Sequence, residues 1–137
     1  MSTSYLTIRT DGACWGNPGP AAIGVSLEDS SGRTVRSLSE YIGRATNNQA
    51  EYRALIAGLE AASRLGARHI YIKLDSELLE LQLKRKYKVR HPALKPLFEQ
   101  VNNLLSRFDS FRISRASREE NEAAHNLAQA ALKKAGV

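Results

Sequence analysis

Apolar and polar residues alternate with period two in several short stretches and recur every three to four residues in others, and the succession of the two rhythms predicts an α/β domain. Residues 5–11 set Leu6, Ile8 and Thr10 against Thr7, Arg9 and Asp11, which predicts a strand closing at Asp11. Residues 22–28 alternate Ile23, Val25 and Leu27 against smaller neighbours, residues 30–33 read as a turn, and residues 34–42 read as a third strand. These three should form an antiparallel meander. Over residues 47–66, Ala50, Ala54, Ala57, Ala61 and Leu65 recur at helical spacing, with Gly66 as the C-terminal stop. Residues 68–75 alternate strictly, with Ile70, Ile72 and Leu74 on one face. A short helix is expected from about residue 77, a longer one over residues 93–108, a fifth strand around Phe111 and Ile113, and a last helix from about 119 to 135.

The order βββ-α-β-αα-β-α predicts one five-stranded mixed sheet, three antiparallel strands followed by parallel ones, with helices on both faces. No repeat, linker or low-complexity tract interrupts it, so residues 1–137 read as a single domain. In sheets of this kind the ligand crevice lies at the carboxyl ends of the parallel strands. Asp11 and Asp75 both close such strands, and if those strands are neighbours the two carboxylates converge. Asp11 also runs into the turn 12–20, whose glycines and prolines leave backbone N–H groups and little bulk around the acid.

Each acid has an ordinary alternative role. Asp75 or Ser76 suits a helix N-cap, and Asn48 with Glu51 has the spacing of a capping box. Taken together, three carboxylates brought to one place repel one another unless a cation neutralises them, and an all-oxygen set favours Mg²⁺ or Mn²⁺. Two such ions would serve phosphodiester cleavage. The charge balance supplies a substrate class: 20 Lys and Arg face 14 Asp and Glu, a net charge of +6. Lys84, Arg85, Lys86, Lys88, Arg90 and Lys95 follow one another with no acid among them and with Tyr87 and His91 interleaved, as on a surface that tracks phosphates. The single cysteine, Cys14, excludes an internal disulfide and a cysteine metal site. No apolar run reaches membrane-spanning length and Met1–Ser4 lack signal-peptide character, so a cytoplasmic location is expected, with no membrane partner.

Four blocks then resemble type 1 ribonuclease H: residues 10–20 (TDGACWGNPGP), residues 46–52 (TNNQAEY), Asp75-Ser76, and residues 118–128 from Arg118 to Ala128. The resemblance covers nearly the whole chain and implies the ribonuclease H-like fold. It also implies endonucleolytic cleavage of the RNA strand of RNA–DNA hybrids with two divalent ions, leaving 5′-phosphate and 3′-hydroxyl ends, in a protein expected to be a monomer. Carried over by position, Asp11, Glu51 and Asp75 match three of the family's four metal-binding carboxylates, with Asp11 shared between the ions. Gly12, Cys14, Asn17, Thr46, Asn47, Asn48 and Ser76 match positions that meet the hybrid, with Gln49 and Glu77 as weaker matches in the same blocks. Two departures stand out. His125 occupies the place of the fourth carboxylate, which makes it the fourth expected catalytic and metal-binding residue and implies weakened activity with Mg²⁺ and relatively better activity with Mn²⁺. The loop before the last helix lacks the histidine some members carry, and Arg118 stands nearest as a candidate for substrate or product handling. Residues 84–95 leave little room for the extra helix of members with a long basic protrusion, so the chain resembles the compact form. Two other readings remain open at this point: a hybrid-binding module whose catalysis is lost through His125, and an exonuclease or integrase of the same fold.

Overall fold

The computed structural model describes residues 5–137, so the reading of Met1–Ser4 lies outside the described residues. Strands β1 (Tyr5–Cys14), β2 (Gly19–Glu28) and β3 (Thr34–Ala45) form the antiparallel meander. Helix α1 (Asn47–Arg64) leads to β4 (His69–Leu74), then come α2 (Glu77–Leu83), α3 (Lys95–Leu105), β5 (Ser110–Arg115) and α4 (Glu122–Ala135). The sheet order is β3-β2-β1-β4-β5, with β4 parallel to both β1 and β5. The expected order of elements and the expected mixed sheet are both present.

Burial explains the two-sided packing. The alternating residues Leu6, Ile8, Val25, Leu27, Ile70 and Ile72 meet Tyr52, Leu55 and Leu59 of α1 and Val101 and Leu104 of α3 in one large core. Full burial of a side chain such as Leu59, 0% exposed, contributes about 1.5–3 kcal/mol. Tyr52 Oη donates to Gln82 Oε1 at 2.6 Å inside that core, tying α1 to α2, and burial pushes the Tyr52 hydroxyl up to about 12. The opposite face is shallower: Ala13 and Ala22 meet Ala128, Ala131 and Leu132 of α4. Small residues let α4 lie close, and a Cβ at Gly24 would press into the Ala124 carbonyl.

Two expectations are corrected. Strand β1 does not close at Asp11 but continues to Cys14, because the hairpin with β2 stays paired as far as Cys14 opposite Ala21. Asp11 instead lies just past the end of the parallel β1–β4 pairing, which stops at Arg9 opposite Lys73. The capping box of α1 lies two residues earlier than the Asn48–Glu51 spacing suggests: Thr46 Oγ1 accepts from Gln49 N at 3.1 Å, and Gln49 Oε1 accepts from Thr46 N at 2.9 Å. Thr46 wins because it holds the extended conformation a cap requires, which frees Glu51 for another use.

Candidate active site

Glu51 is freed toward Asp11. A Cβ on Gly12 would lie 2.6 Å from the Ala50 carbonyl carbon and 2.7 Å from Glu51 N, so only glycine lets β1 approach α1 this closely. At that approach Gly12 N donates to Glu51 Oε1. Asp75 arrives from the end of β4, next to β1, and Ser76 Oγ caps α2 by accepting from Leu79 N at 3.2 Å. One oxygen each from Asp11, Glu51 and Asp75 lies within 4.8 Å of the others.

That closeness is costly without a cation. Burial, and then the Asp75 charge, raise the Asp11 carboxyl above its ordinary value, against the opposing hydrogen bond from His125. Burial, and then the Asp11 charge, raise Glu51 well above its own. An acid raised in the folded state stabilises the fold only while protonated. Stability is therefore full below the ordinary carboxyl values of 3.8 and 4.5, and is lost as pH rises through the raised ones. In EDTA, Glu51→Gln should accordingly melt above wild type at neutral pH, and the gap should close as pH falls to about 4. Adding Mg²⁺ or Mn²⁺ at neutral pH should raise the wild-type melting temperature and leave the variant nearly unmoved, a comparison differential scanning fluorimetry makes directly. The donor set, three carboxylates and no sulfur, fits a hard divalent ion.

His125 stands beside this cluster. Its Nδ1 lies 2.9 Å from Asp11 Oδ2, where an Nδ1–H donates to the carboxylate, while Arg118 Nη1 approaches Nε2 at 3.5 Å. The same Arg118 donates from Nε to Asp75 Oδ2 at 3.2 Å. Arg118 and His125 thus link Asp75 and Asp11 from the α4 side. The sequence reading named Arg118 for substrate handling and missed its ion pair with Asp75, which joins residues far apart in the chain. It also missed Asn121. That side chain is fully buried and donates from Nδ2 to Thr10 O at 2.8 Å, anchoring the start of α4 to β1 one residue before Asp11. Its polarity just ahead of an apolar helix was the available signal.

The expected hybrid contacts gather at the start of α1. Asn17 Oδ1 accepts from Asn47 N at 3.0 Å, which ties the β1–β2 loop to the helix. Asn17, Thr46 and Asn48 border a cleft of about 250 Å³ with His91 and Leu94 on its far wall. Cys14 does not face this cleft: its Sγ packs 3.0 Å from Ala45 O. Gly12 serves the approach of β1 to α1 described above. In the basic run, Lys84 pairs with Glu80 at 2.9 Å and Arg85 lies 5.8 Å from the centre of the Phe98 ring. Lys86, Lys88 and Arg90 are exposed with no ion pair among the described residues.

A mixed sheet in the order β3-β2-β1-β4-β5, with acids from its two adjoining central strands meeting a third from the first helix, places the molecule in the ribonuclease H-like class. Residues 9–131 match the family described as "Reverse transcriptase-like". The ribonuclease HI of Halobacterium salinarum is 46% identical over 122 residues, 89% of this chain. The crystal structure of RNase H1 from the same archaeon superposes with a TM-score of 0.93 at 43% identity, covering 95% of this chain and 98% of that one. LC11-RNase H1 in complex with an RNA/DNA hybrid superposes with a TM-score of 0.91 at 37% identity, covering 96% of this chain and 99% of that one. The chain belongs to the ribonuclease H family, type 1. It spans 61% of the length of the archaeal ribonuclease HI, and 35% of that of the bifunctional protein Rv2228c of Mycobacterium tuberculosis, 41% identical over 128 residues.

Proposed function

We propose that this chain hydrolyses the RNA strand of RNA–DNA hybrids endonucleolytically, in a divalent-metal-dependent reaction that leaves 5′-phosphate and 3′-hydroxyl ends. The observation that carries the reading is the meeting of Asp11, Glu51 and Asp75 beside a cleft built from Asn17, Thr46 and Asn48. Support comes from the hybrid bound by LC11-RNase H1, whose fold this chain shares.

In this reading Asp11, Glu51 and Asp75, with His125 beside them, would hold divalent Mg²⁺ or Mn²⁺. Bound there, such ions would activate a water and stabilise charge on the leaving oxygen. The chain's own residues position the substrate. Asn17, Asn47 and Asn48 offer amide groups to the minor groove, where 2′-hydroxyls mark the RNA strand. The Thr46 and Ser76 hydroxyls retain a proton to donate after accepting their cap bonds. Arg118, exposed and already at Asp75, offers its planar guanidinium to a phosphate near the acids. In the same reading the domain acts as a cytoplasmic monomer; no described helix is long and apolar enough to cross a membrane.

Cleavage of an end-blocked hybrid labelled in either strand tests the reading. Cuts should fall inside the RNA strand only, and the products should be substrates for a 5′-phosphate-dependent exonuclease. Cuts in the DNA strand, or none in a hybrid with blocked ends, would overturn it.

His125 sets the strength of the site. A neutral imidazole offers no negative charge to a hard ion, and its Nδ1 is already engaged with Asp11. His125→Asp should raise Mg²⁺-supported cleavage by about tenfold or more, within the range by which outer partners tune metal sites, and shrink the Mn²⁺ preference. A metal titration showing no gain would contradict this. The basic run acts separately, on binding. Converting Lys86, Lys88 and Arg90 to glutamine should raise KM for hybrid, leave kcat near wild type and flatten the salt dependence by about one unit of slope per lost phosphate contact.

A further inference from the structure

The sheet face that carries Asp11 has a second, unassigned character further back along the strands. Helix α4 packs against β1, β2 and β3, whereas Tyr71, Lys73, Arg112 and Ser114 border an open cleft of about 440 Å³. Strand register aligns three side chains from each of β1, β4 and β5 into rows: Tyr5, His69 and Ser110; Thr7, Tyr71 and Arg112; Arg9, Lys73 and Ser114. The intervening Leu6, Ile8, Ile70 and Ile72 are fully buried on the other face, so all nine belong to this side.

The grid contains no carboxylate. Its acids stand at the rim: Glu28 pairs with Arg9 at 3.3 Å, and Glu120, whose backbone oxygen accepts from Arg9 Nη1 at 3.0 Å, turns its carboxylate to Ser117 N at 2.9 Å. The centre is aromatic. The Tyr5 and Tyr71 rings meet edge to face with centroids 4.5 Å apart, and the Arg112 guanidinium lies 5.8 Å from the Tyr71 ring centre. A solvent-facing strand needs only polar residues. Two rings, the Tyr71 ring under a guanidinium, flanked by Lys73 and by Arg9 at the Glu28 rim, instead match the chemistry that holds unpaired nucleotides: flat surfaces for bases and cations for phosphates. A duplex keeps its base faces stacked and has no use for such rings. Two residues beyond Arg9 and Lys73 along the same strands come Asp11 and Asp75, so a strand leaving the acids in this direction runs over the grid.

We propose that the exposed β1–β4–β5 face is a second nucleic-acid site, specific for single-stranded RNA or DNA, with a base stacked at Tyr71 and Arg112 and phosphates on Lys73 and Arg9. It is separate from hydrolysis and is tested separately. Fluorescence anisotropy in EDTA, with a labelled single strand of about 12 nucleotides lacking self-complementarity, reads the binding alone. Tyr71→Ala and Arg112→Glu should each weaken binding by about tenfold or more. Both should cut a blunt-ended hybrid at rates within about twofold of wild type, since neither residue touches the acids or the α1 cleft. Arg112→Glu changes an exposed side chain, so it remains a valid probe if Tyr71→Ala lowers stability. Oligonucleotide affinity unchanged in Arg112→Glu would overturn the proposal and leave the face to a protein contact. Because no metal is present, the binding result stands whether or not the hybrid is cut, and a failure here leaves the hydrolysis reading untouched.

Discussion

Asp11→Asn should lower hybrid cleavage by more than about 100-fold in either metal, with kcat taking nearly all of the loss. Removing an outer partner of a metal site already costs about 10–100-fold, and Asp11 is proposed above as a direct ligand. Its position supports that magnitude. It is 4% exposed, has an oxygen within 4.8 Å of both Glu51 and Asp75, and receives a hydrogen bond from His125. Asparagine keeps the size and can still meet His125, so the substitution removes charge while sparing the packing. Hybrid affinity should change little, because the cleft at Asn17, Thr46 and Asn48 lies on other residues. Isothermal titration with Mn²⁺ should show the lost site directly. A variant that cuts within tenfold of wild type would remove Asp11 from the centre of the account.

Gly12→Ala should cost about 1–3 kcal/mol of stability through overpacking, and activity by about 100-fold through displacement of Glu51. The added carbon meets backbone, 2.6 Å from the Ala50 carbonyl carbon and 2.7 Å from Glu51 N, and backbone cannot turn aside as a flexible side chain would. The strand and the helix must separate, which breaks the Gly12 N–H bond to Glu51 and pulls that carboxylate from Asp11. Unlike Asp11→Asn, this variant should lose melting temperature together with activity. A stable, fully active Gly12→Ala protein would show that the Glu51 placement tolerates movement.

The strand and helix order was legible because Leu6, Ile8, Ile70 and Ile72 alternate and the α1 alanines recur at helical spacing, both direct consequences of packing on one core. The convergence of Asp11 and Asp75 followed from topology, once parallel neighbours were inferred. The boundaries were less legible. The extension of β1 through Cys14 depends on its partner β2, and no single strand shows where its ladder ends. The cap of α1 at Thr46 depends on local backbone angles that Asn48 imitates in sequence. Long-range polar pairs were invisible: Arg118 with Asp75, Asn121 with Thr10 and Tyr52 with Gln82 each join residues 30 or more positions apart. So was the aromatic grid, which exists only when β1, β4 and β5 are laid side by side.

In the proposed function, three converging carboxylates and their histidine neighbour make a metal-dependent RNA-strand nuclease. Incubating one hybrid, labelled in its RNA strand, with the wild-type chain in Mg²⁺, in Mn²⁺ and in EDTA measures it most directly. The account predicts cleavage in Mn²⁺, slower cleavage in Mg²⁺ and none in EDTA. Cleavage that persists in EDTA, or an intact RNA strand in both metals, would contradict it.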